Sequence, residues 1–246
     1  MAITISEQHG VRFLHFGTPW IQGAMRIARP YALELEYTRD LVLPLLLRDG
    51  EWPRSVLQVG LGSASITKFL HRFRPQARLT VVEIAPEVVA AARQYFKLPE
   101  DEQIRIELED GHSFIGRSKA RWDLIILDGF DEQGRAGMLD TVPFYMLCRE
   151  RLTRRGLMSV NLLTRTRGVG ASVDRIRTAF EDRVIAIPPS DAGNTVALAA
   201  AGAEVDESFD ELRKEARALK AATGLDLLPT LGRLAEASSA QDRFVL

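Results

Sequence analysis

Short apolar runs alternate with amphipathic stretches through the middle of this 246-residue chain, and this alternation strongly constrains its fold. Four runs rich in Val, Ile and Leu each end in glycine or an acid: Ser55–Gly60, Arg78–Glu83, Ile104–Asp110 and Trp122–Asp128. Apolar residues between the first two runs follow helical spacing at Ile66, Phe69, Leu70 and Phe73. Strands buried on both faces read as continuous apolar runs, and their alternation with helices indicates right-handed βαβ crossovers. We therefore predict an α/β fold with a mostly parallel sheet.

The same pattern continues to about residue 200. The further predicted elements are a helix over Thr141–Leu152, a strand over Leu157–Leu163, a helix over Ala171–Phe180, and strands over Val184–Ile187 and Thr195–Ala200. Gly156 is predicted to be a left-handed helix cap before the fifth strand. The loop-like composition of Pro188–Asn194 favours an antiparallel final pair. We expect a Rossmann-like sheet of seven strands with helices on both faces.

The two ends of the chain differ from this central part. Residues 11–37 contain β-rich stretches, so we predict a small N-terminal β-hairpin element over residues 1–45. Residues 46–202 are predicted to form a Rossmann-like nucleoside-binding catalytic domain. A C-terminal helical tail is predicted over residues 203–246, since Phe209, Leu212, Ala216 and Leu219 fall on one helical stripe.

Composition excludes several classes of protein. The 32 basic and 33 acidic residues leave a net charge of −1, which argues against nucleic-acid or membrane-surface binding through bulk charge. A membrane span needs about 20 apolar residues, and no such stretch occurs. We expect no secretory signal and a cytoplasmic protein. Cys148 is the single cysteine and the four histidines are scattered, so we expect no disulfide and no metal.

A glycine-rich turn follows the first apolar run. The segment Val59-Gly60-Leu61-Gly62-Ser63 joins a predicted strand to a predicted helix, an arrangement that lets a ligand approach the backbone closely. A dinucleotide fingerprint has a third glycine where Ser65 stands. Glu83 ends the second run, 21 residues after Gly62, where a carboxylate accepts hydrogen bonds from ribose hydroxyls.

Acids also end the third and fourth runs, as Asp110-Gly111 and Asp128. Ligands of open α/β sheets bind outside the carboxyl ends of the strands, so these acids, Glu83 and the glycine turn are predicted to meet in one crevice. A nucleoside ligand would place Glu83 on the ribose and Asp110 near the exocyclic amine of the base. Helix capping is the alternative interpretation of any single acid.

Several segments together resemble spermidine synthases, the polyamine aminopropyltransferases built on the class I methyltransferase fold. They are Val82-Glu83-Ile84, Asp110-Gly111, Trp122–Asp128 continuing to Gly134, Phe144-Tyr145 before Leu152, and the N-terminal Leu14–Gly17, Ile21-Gln22 and Leu35–Tyr37. The resemblance covers about residues 12–200. The spacing of Asp128 and Asp131 is uncommon in ordinary methyltransferases.

The resemblance implies transfer of an aminopropyl group from decarboxylated S-adenosylmethionine to an amine such as putrescine, with release of methylthioadenosine. Asp128 would be the base that deprotonates the amine. The implied binding residues for the sulfonium co-substrate are Gln22, Gly60, Gly62, Glu83, Ile84, Asp110 and Gly111. Tyr37 and Asp131 would bind the amine; alternatively, Asp131-Glu132 is a solvated turn. The resemblance also implies a homodimer or homotetramer.

The chain departs from the family pattern mainly on the amine side. Ser63 stands where the family has an aspartate that holds the amino end of the aminopropyl group. Other departures are Thr38, Gly129-Phe130, Asn161 and the tyrosine-free loop Pro188–Asn194. For aminopropyl transfer these departures leave the acceptor open: putrescine, another amine or a bulkier acceptor. The alternatives are a class I methyltransferase that uses S-adenosylmethionine itself, and a non-catalytic nucleoside-binding homologue.

Overall fold

The computed structural model describes residues 2–131, 133–163, 168–189, 193–237 and 242–246. Its centre is a seven-stranded sheet, preceded by a three-stranded antiparallel sheet and followed by a two-stranded one. The N-terminal strands are β1 (Ile3–Gln8), β2 (Val11–Phe16) and β3 (Gly23–Arg26). The central strands are β4 (Ser55–Val59), β5 (Arg78–Glu83), β6 (Ile104–Leu108), β7 (Trp122–Leu127), β8 (Leu152–Leu163), β9 (Val184–Ile187) and β10 (Asn194–Ala200). The last strands are β11 (Asp206–Ser208) and β12 (Arg243–Val245).

The central sheet has the order β6-β5-β4-β7-β8-β10-β9. The first five strands in this order are parallel, and β10 runs antiparallel to both of its neighbours. The predicted α/β class, the seven strands and the antiparallel closing pair are confirmed. The strand order changes direction at β4, because β5 and β6 lie on one side of it and β7 lies on the other. The carboxyl ends of β4 and β7 therefore lie side by side, at the point where open α/β sheets form a ligand-binding crevice.

Helices cover both faces of this sheet. They are α1 (Glu36–Leu41), α2 (Ser65–Phe73), α3 (Pro86–Phe96), α4 (Gly111–Arg117), α5 (Val142–Glu150), α6 (Val169–Phe180), α7 (Phe209–Thr223) and α8 (Leu228–Ala237), with 3₁₀ turns at Leu43–Leu46 and Gly137–Leu139. Adjacent strand residues face opposite cores: Val56 packs with α1, α2, α7 and α8, while Leu57 packs with α4, α5 and α6. This alternation explains why segments such as Leu124–Leu127 of β7 read as unbroken apolar runs.

The prediction for Gly156 is wrong. Helix α5 ends at Glu150, and β8 already begins at Leu152, so Gly156 lies inside a strand instead of capping a helix. The pairing of β7 with β8 shifts register between Trp122 and Leu124, and the extra β8 residues bulge there. A Cβ on Gly156 would come within 2.9 Å of the Thr153 backbone, so the bulge needs a glycine for close approach.

The C-terminal segment packs on the central sheet. The predicted stripe of Phe209, Leu212, Ala216 and Leu219 is buried on α7. Helix α8 and strand β12 are additional elements that the sequence analysis did not predict, and Leu231 and Phe244 join the same apolar cluster as Leu41 of α1. The proposed boundaries after residues 45 and 202 stay predictions. Among the described residues, no helix is both long and apolar enough to cross a membrane.

Candidate active site

A cavity of about 1220 Å³ opens at the carboxyl ends of β4, β5 and β7. The structure brings all ten predicted site residues to its walls: Gln22, Tyr37, Gly60, Gly62, Glu83, Ile84, Asp110, Gly111, Asp128 and Asp131. Of the lining residues that the structure describes, six are acids and one, Arg135, is basic. The cavity is thus rich in acids although the chain is almost neutral, which suits a cationic ligand.

The glycine turn between β4 and α2 owes its shape to two glycines. Gly60 has φ +91° and Gly62 has φ +52°, in the left-handed region that favours glycine. A Cβ on Gly60 would lie 2.2 Å from the backbone oxygen of Asp128. The main chain of the turn therefore packs directly against the main chain at the end of β7. Gln58 Nε2 donates to Gly60 O at 2.7 Å and thereby supports the turn from inside the protein.

Glu83 holds this turn from the neighbouring strand. One carboxylate oxygen accepts from Leu61 N and the other from Ala85 N, each at 2.9 Å. Burial raises the pKa of Glu83 above its usual range, while the backbone donors act in the opposite direction. A carboxylate has about four acceptor positions, so two backbone bonds leave capacity for ribose hydroxyls.

Asp110 and Gly111, which are predicted to bind the nucleoside, line the cavity at the start of α4. Asp110 is the N-cap of α4 and accepts from Ser113 N at 2.9 Å, so the capping interpretation is correct for one of its oxygens. A Cβ on Gly111 would lie 2.5 Å from a Val59 methyl group. Leu139 would lie 3.3 Å from that Cβ and 2.8 Å from a Cβ on Gly129, so its side chain covers both glycines.

Asp128 lies at the end of β7, where two side chains contact its carboxylate. Asn161 Nδ2 donates to Asp128 Oδ1 at 2.8 Å, and the Tyr37 hydroxyl from α1 forms a second hydrogen bond. Burial raises the pKa of Asp128 to about 7, although both hydrogen bonds act to lower it. The pKa of Tyr37 is raised well above its usual value by burial and by the Asp128 charge. A carboxyl group with a pKa near neutrality is suited to accept a proton.

A second asparagine fixes the orientation of the first. Asn194 Nδ2, at the start of β10, donates to Asn161 Oδ1 at 2.9 Å. The Asn161 amide must then present its N–H to Asp128. The sequence analysis did not assign Asn194 to the site. Its signal was that Asn161 interrupts the apolar end of β8 and that Asn194 precedes the apolar part of β10.

Both carboxylate oxygens of Asp131 accept hydrogen bonds from its own turn. Its Oδ1 accepts from the backbone N–H groups of Gln133 and Arg135, each at 2.9 Å, and its Oδ2 pairs with Arg135 Nε at 2.8 Å. Although partial burial acts to raise it, these hydrogen bonds hold the pKa of Asp131 below its usual range. This geometry favours the solvated-turn interpretation of Asp131; Glu132 lies outside the described residues.

The N-terminal sheet covers one side of the cavity. The Nδ1–H of His15 donates to Trp20 O at 3.1 Å, and Gln22 O lies within 3.4 Å of a Cβ built on Gly62. Trp20 is 49% exposed at the cavity mouth, next to Ile21. Ser63 lies buried beneath Gly23 of β3, with its hydroxyl bonded to that of Ser65 at 2.9 Å. Position 63 therefore supplies no charged group to the cavity.

Comparison with known proteins agrees with this geometry. The spermine/spermidine synthase domain matches residues 34–162, just over half of the chain. The polyamine aminopropyltransferase of Neisseria meningitidis is 33% identical over 225 residues, which cover 91% of this chain and 85% of that protein.

Two solved structures share the fold. A probable spermidine synthase from Corynebacterium glutamicum superposes with a TM-score of 0.70 at 21% identity and covers 91% of each chain. Human methyltransferase-like protein 13, in complex with SAH, has a TM-score of 0.66 at 22% identity and covers 77% of this chain and 93% of that one. These likenesses confirm the class I methyltransferase fold, and the sequence matches identify the chain as a transferase. The chain belongs to the spermine/spermidine synthase family.

Proposed function

We propose that this protein transfers the aminopropyl group of decarboxylated S-adenosylmethionine to an amine and releases methylthioadenosine. The observation that carries the proposal is the carboxyl group of Asp128, which has a pKa of about 7 and lies beside the glycine turn. Family membership supports aminopropyl transfer in general. The donor, the acceptor and the residue roles are our inference.

Asp128 would prepare the amine for attack. A protonated amine has no lone pair, so a carboxylate must first hold the cation and then accept its proton. The lone pair then forms a C–N bond to the propyl carbon, and the C–S bond breaks with its electron pair returning to sulfur. The positive charge of the sulfonium thereby passes to the new secondary amine, and the sulfur leaves as a neutral thioether.

The remaining walls would bind the nucleoside. Glu83 would accept hydrogen bonds from the ribose hydroxyls, Asp110 would accept one from the base, and Gly60 and Gly62 allow the ligand to approach the backbone. Gln22 and Ile84 line the same part of the cavity. Tyr37 would contact the amine while it holds Asp128.

Purified protein with decarboxylated S-adenosylmethionine and a panel of amines tests this proposal. We expect methylthioadenosine release, and a loss of at least about 100-fold in kcat for Asp128→Asn. Asp210→Asn, on the exposed face of α7, is the matched control and should retain full activity. The proposal fails if no amine gives release while Asp128→Asn binds methylthioadenosine as tightly as the unchanged protein does.

Methyl transfer from S-adenosylmethionine is the second candidate. It is favoured by Ser63, because a buried serine, unlike the acid of the family pattern, does not repel a methionine carboxylate. Calorimetric titration with both sulfonium compounds separates the candidates. Tighter binding of the decarboxylated compound supports aminopropyl transfer, and tighter binding of S-adenosylmethionine supports methyl transfer. Turnover with either compound eliminates a non-catalytic nucleoside-binding role.

We also propose a cytoplasmic homodimer or homotetramer, as the family resemblance implies. Light scattering on the purified protein tests its oligomeric state. Fractionation of the source cells tests whether the protein is cytoplasmic. A monomer at working concentration contradicts the first proposal.

A further inference from the structure

We propose that Glu36 binds the second ammonium group of a diamine or polyamine acceptor and thereby selects the acceptor. This inference rests on the proposed aminopropyl transfer and names a specificity-determining residue of the same site. Asp128 would take the amino group that reacts, so a doubly charged acceptor needs a further carboxylate for its other end. The position, the contacts and the charge of Glu36 suit it to that role.

Glu36 lies on the same wall of the cavity as the residue that holds Asp128. It lines the cavity at the start of α1 and is followed directly by Tyr37, whose hydroxyl contacts the Asp128 carboxylate. Glu36 and Asp128 are therefore joined to opposite ends of Tyr37, one to its main chain and the other to its hydroxyl. An acceptor that reacts at Asp128 and extends along Tyr37 would carry its far amino group toward Glu36.

The Glu36 carboxylate keeps one oxygen for a ligand. Its Oε1 accepts from Arg233 Nη1 at 3.1 Å, and within the described part of the chain its Oε2 accepts no hydrogen bond. The side chain is 38% exposed, so a ligand in the cavity can reach this oxygen. Asp131 differs, because both of its oxygens accept hydrogen bonds from its own turn.

Arg233 does not cancel the charge of Glu36, because it is shared with Asp40. Its guanidinium donates to Asp40 Oδ2 at 2.5 Å, which is closer than its 3.1 Å contact with Glu36. Burial raises the pKa of Asp40, but Thr230 and Arg233 act in the opposite direction, and so short a pair with a guanidinium is typical of a carboxylate. Two carboxylates and one guanidinium leave one negative charge. Asp40 is 5% exposed, so Glu36 is the carboxylate that a cation in the cavity would meet.

Arg233 also fixes the position of the Glu36 carboxylate. Besides the two carboxylates, it donates to Pro188 O at 3.1 Å, so contacts from α1 and from the loop before β10 hold the guanidinium. A carboxylate that is held in place loses less conformational entropy on binding than a mobile one does. Arg233 is therefore a positioning residue for Glu36, and Glu36 is the residue that contacts the acceptor.

A matched pair of acceptors tests the inference, since 1,4-diaminobutane and n-butylamine differ only by the second amino group. We expect kcat/KM for the diamine to exceed that for n-butylamine at least tenfold in the unchanged protein. Glu36→Gln should lower this ratio at least tenfold, because it removes a hydrogen bond between two charged groups. Glutamine keeps the length of the side chain and an oxygen that accepts from Arg233. A smaller ratio in the unchanged protein, or a smaller fall in the variant, overturns the inference.

Two further variants test whether the effect belongs to Glu36. Glu109→Gln is the matched control, because Glu109 also lines the cavity and also pairs with an arginine, Arg117. Both oxygens of Glu109 accept from Arg117, so this variant should leave the ratio unchanged. Glu36→Asp keeps the charge and should retain more of the diamine preference than Glu36→Gln does. An equal fall in Glu109→Gln, or no rescue in Glu36→Asp, contradicts the inference.

A binding measurement separates this inference from the proposed function. Both amines are titrated calorimetrically into the unchanged protein and into Glu36→Gln, each saturated with methylthioadenosine. If no amine supports release but the variant loses affinity for the diamine alone, the proposed function fails and the inference on ligand recognition stands. If release occurs and the variant weakens binding of both amines equally, the inference fails alone. Absence of diamine binding to the unchanged protein overturns it as well.

Discussion

Asp128 shows how opposing contributions set the chemistry of a single residue. Burial disfavours its carboxylate, and the hydrogen bonds from Asn161 and Tyr37 favour it, with a resulting pKa of about 7. Because the base must be ionised to accept a proton, we expect the rate to rise as the pH increases through this value. Under the proposed function, the side chains around the carboxylate would thus set the pH range of activity.

We predict that Asn161→Ala moves the acidic limb of the pH–kcat/KM profile to higher pH. The variant removes a donor that stabilises the charged form of Asp128, so the pKa of Asp128 should rise. Asn194→Ala should cause a smaller shift in the same direction, since it only frees the Asn161 amide to turn. A limb that stays in place, or moves to lower pH, contradicts this prediction.

Lys68 is a buried cation with a structural contact. It lies on α2 with no exposed surface, and its Nζ donates to Phe96 O at the end of α3. Burial, with a smaller contribution from Lys97, lowers the pKa of Lys68 to about 7. The unfolded chain therefore binds more protons than the folded one between pH 7 and about 10.4. Over that range, the contribution of Lys68 makes the folded state more stable as the pH rises.

Because the contribution of Lys68 to stability increases with pH, we predict that Lys68→Met is more stable than the unchanged protein at pH 6. The difference in the free energy of unfolding should shrink toward pH 10. The change across this range should approach about 4 kcal/mol in the free energy of unfolding. Urea denaturation at pH 6, 8 and 10 measures it. A difference that is independent of pH would show that Lys68 does not titrate in this window.

At the scale of elements, the ends of the parallel strands were predictable and the bulge in β8 was not. Each of the first four strands is a compact apolar run that stops at glycine or an acid, so its end is readable from the sequence. The segment Thr153–Gly156 reads as a turn because it contains two arginines and a glycine. Its strand conformation depends on a distant contact, in which Thr153 Oγ1 donates to Asp123 at 2.8 Å. Local patterns do not contain such contacts.

The glycine turn provides a prediction at this scale. We expect Gly60→Ala to destabilise the fold by at least about 2 kcal/mol, since alanine is strained at φ +91° and its Cβ would collide with Asp128 O. Gly116→Ala is the control: it lies on α4, where a Cβ meets nothing within 4 Å. Thermal unfolding of both variants checks the difference, and equal melting temperatures would contradict it.

At the scale of the whole molecule, the C-terminal segment contacts the walls of the cavity. Arg233 of α8 contacts Glu36 and Asp40 of α1, and also Pro188 O in the loop before β10. Helix α1 carries Tyr37, so α8 supports the cavity wall that the proposed function assigns to the acceptor. The family match ends at residue 162, and Arg233 lies outside it.

We predict that Arg233→Gln raises the KM for the amine about tenfold and changes the KM for the sulfonium donor by less than twofold. In the proposed function the donor would contact a different set of walls, formed by β4, β5 and α4. Arg233→Lys should restore part of the amine affinity. Lysine keeps the positive charge but lacks the guanidinium that contacts Glu36, Asp40 and Pro188 O together. Equal effects on both KM values would indicate general loss of structure, which circular dichroism would detect.

The sequence could predict the nucleoside side of the molecule more fully than the acceptor side. Gly60, Glu83, Asp110 and Asp128 lie at strand ends, and sheet geometry alone brings strand ends together. The acceptor side combines β1–β3, the Asp131 turn, α1, β10 and α8, which are far apart in the chain. No periodic pattern predicts that Arg233 meets Glu36, which lies 197 residues away in the chain.

The turn that carries Asp131 and Arg135 has a consequence for the descent of related proteins. The Arg135 side chain is 68% exposed, so replacing it has little effect on folding. Because Arg135 also lines the cavity, under the proposed function one surface substitution there would change the charge that faces the acceptor. Acceptor choice should then vary between close relatives faster than the glycine turn does, and a common ancestor need not predict it.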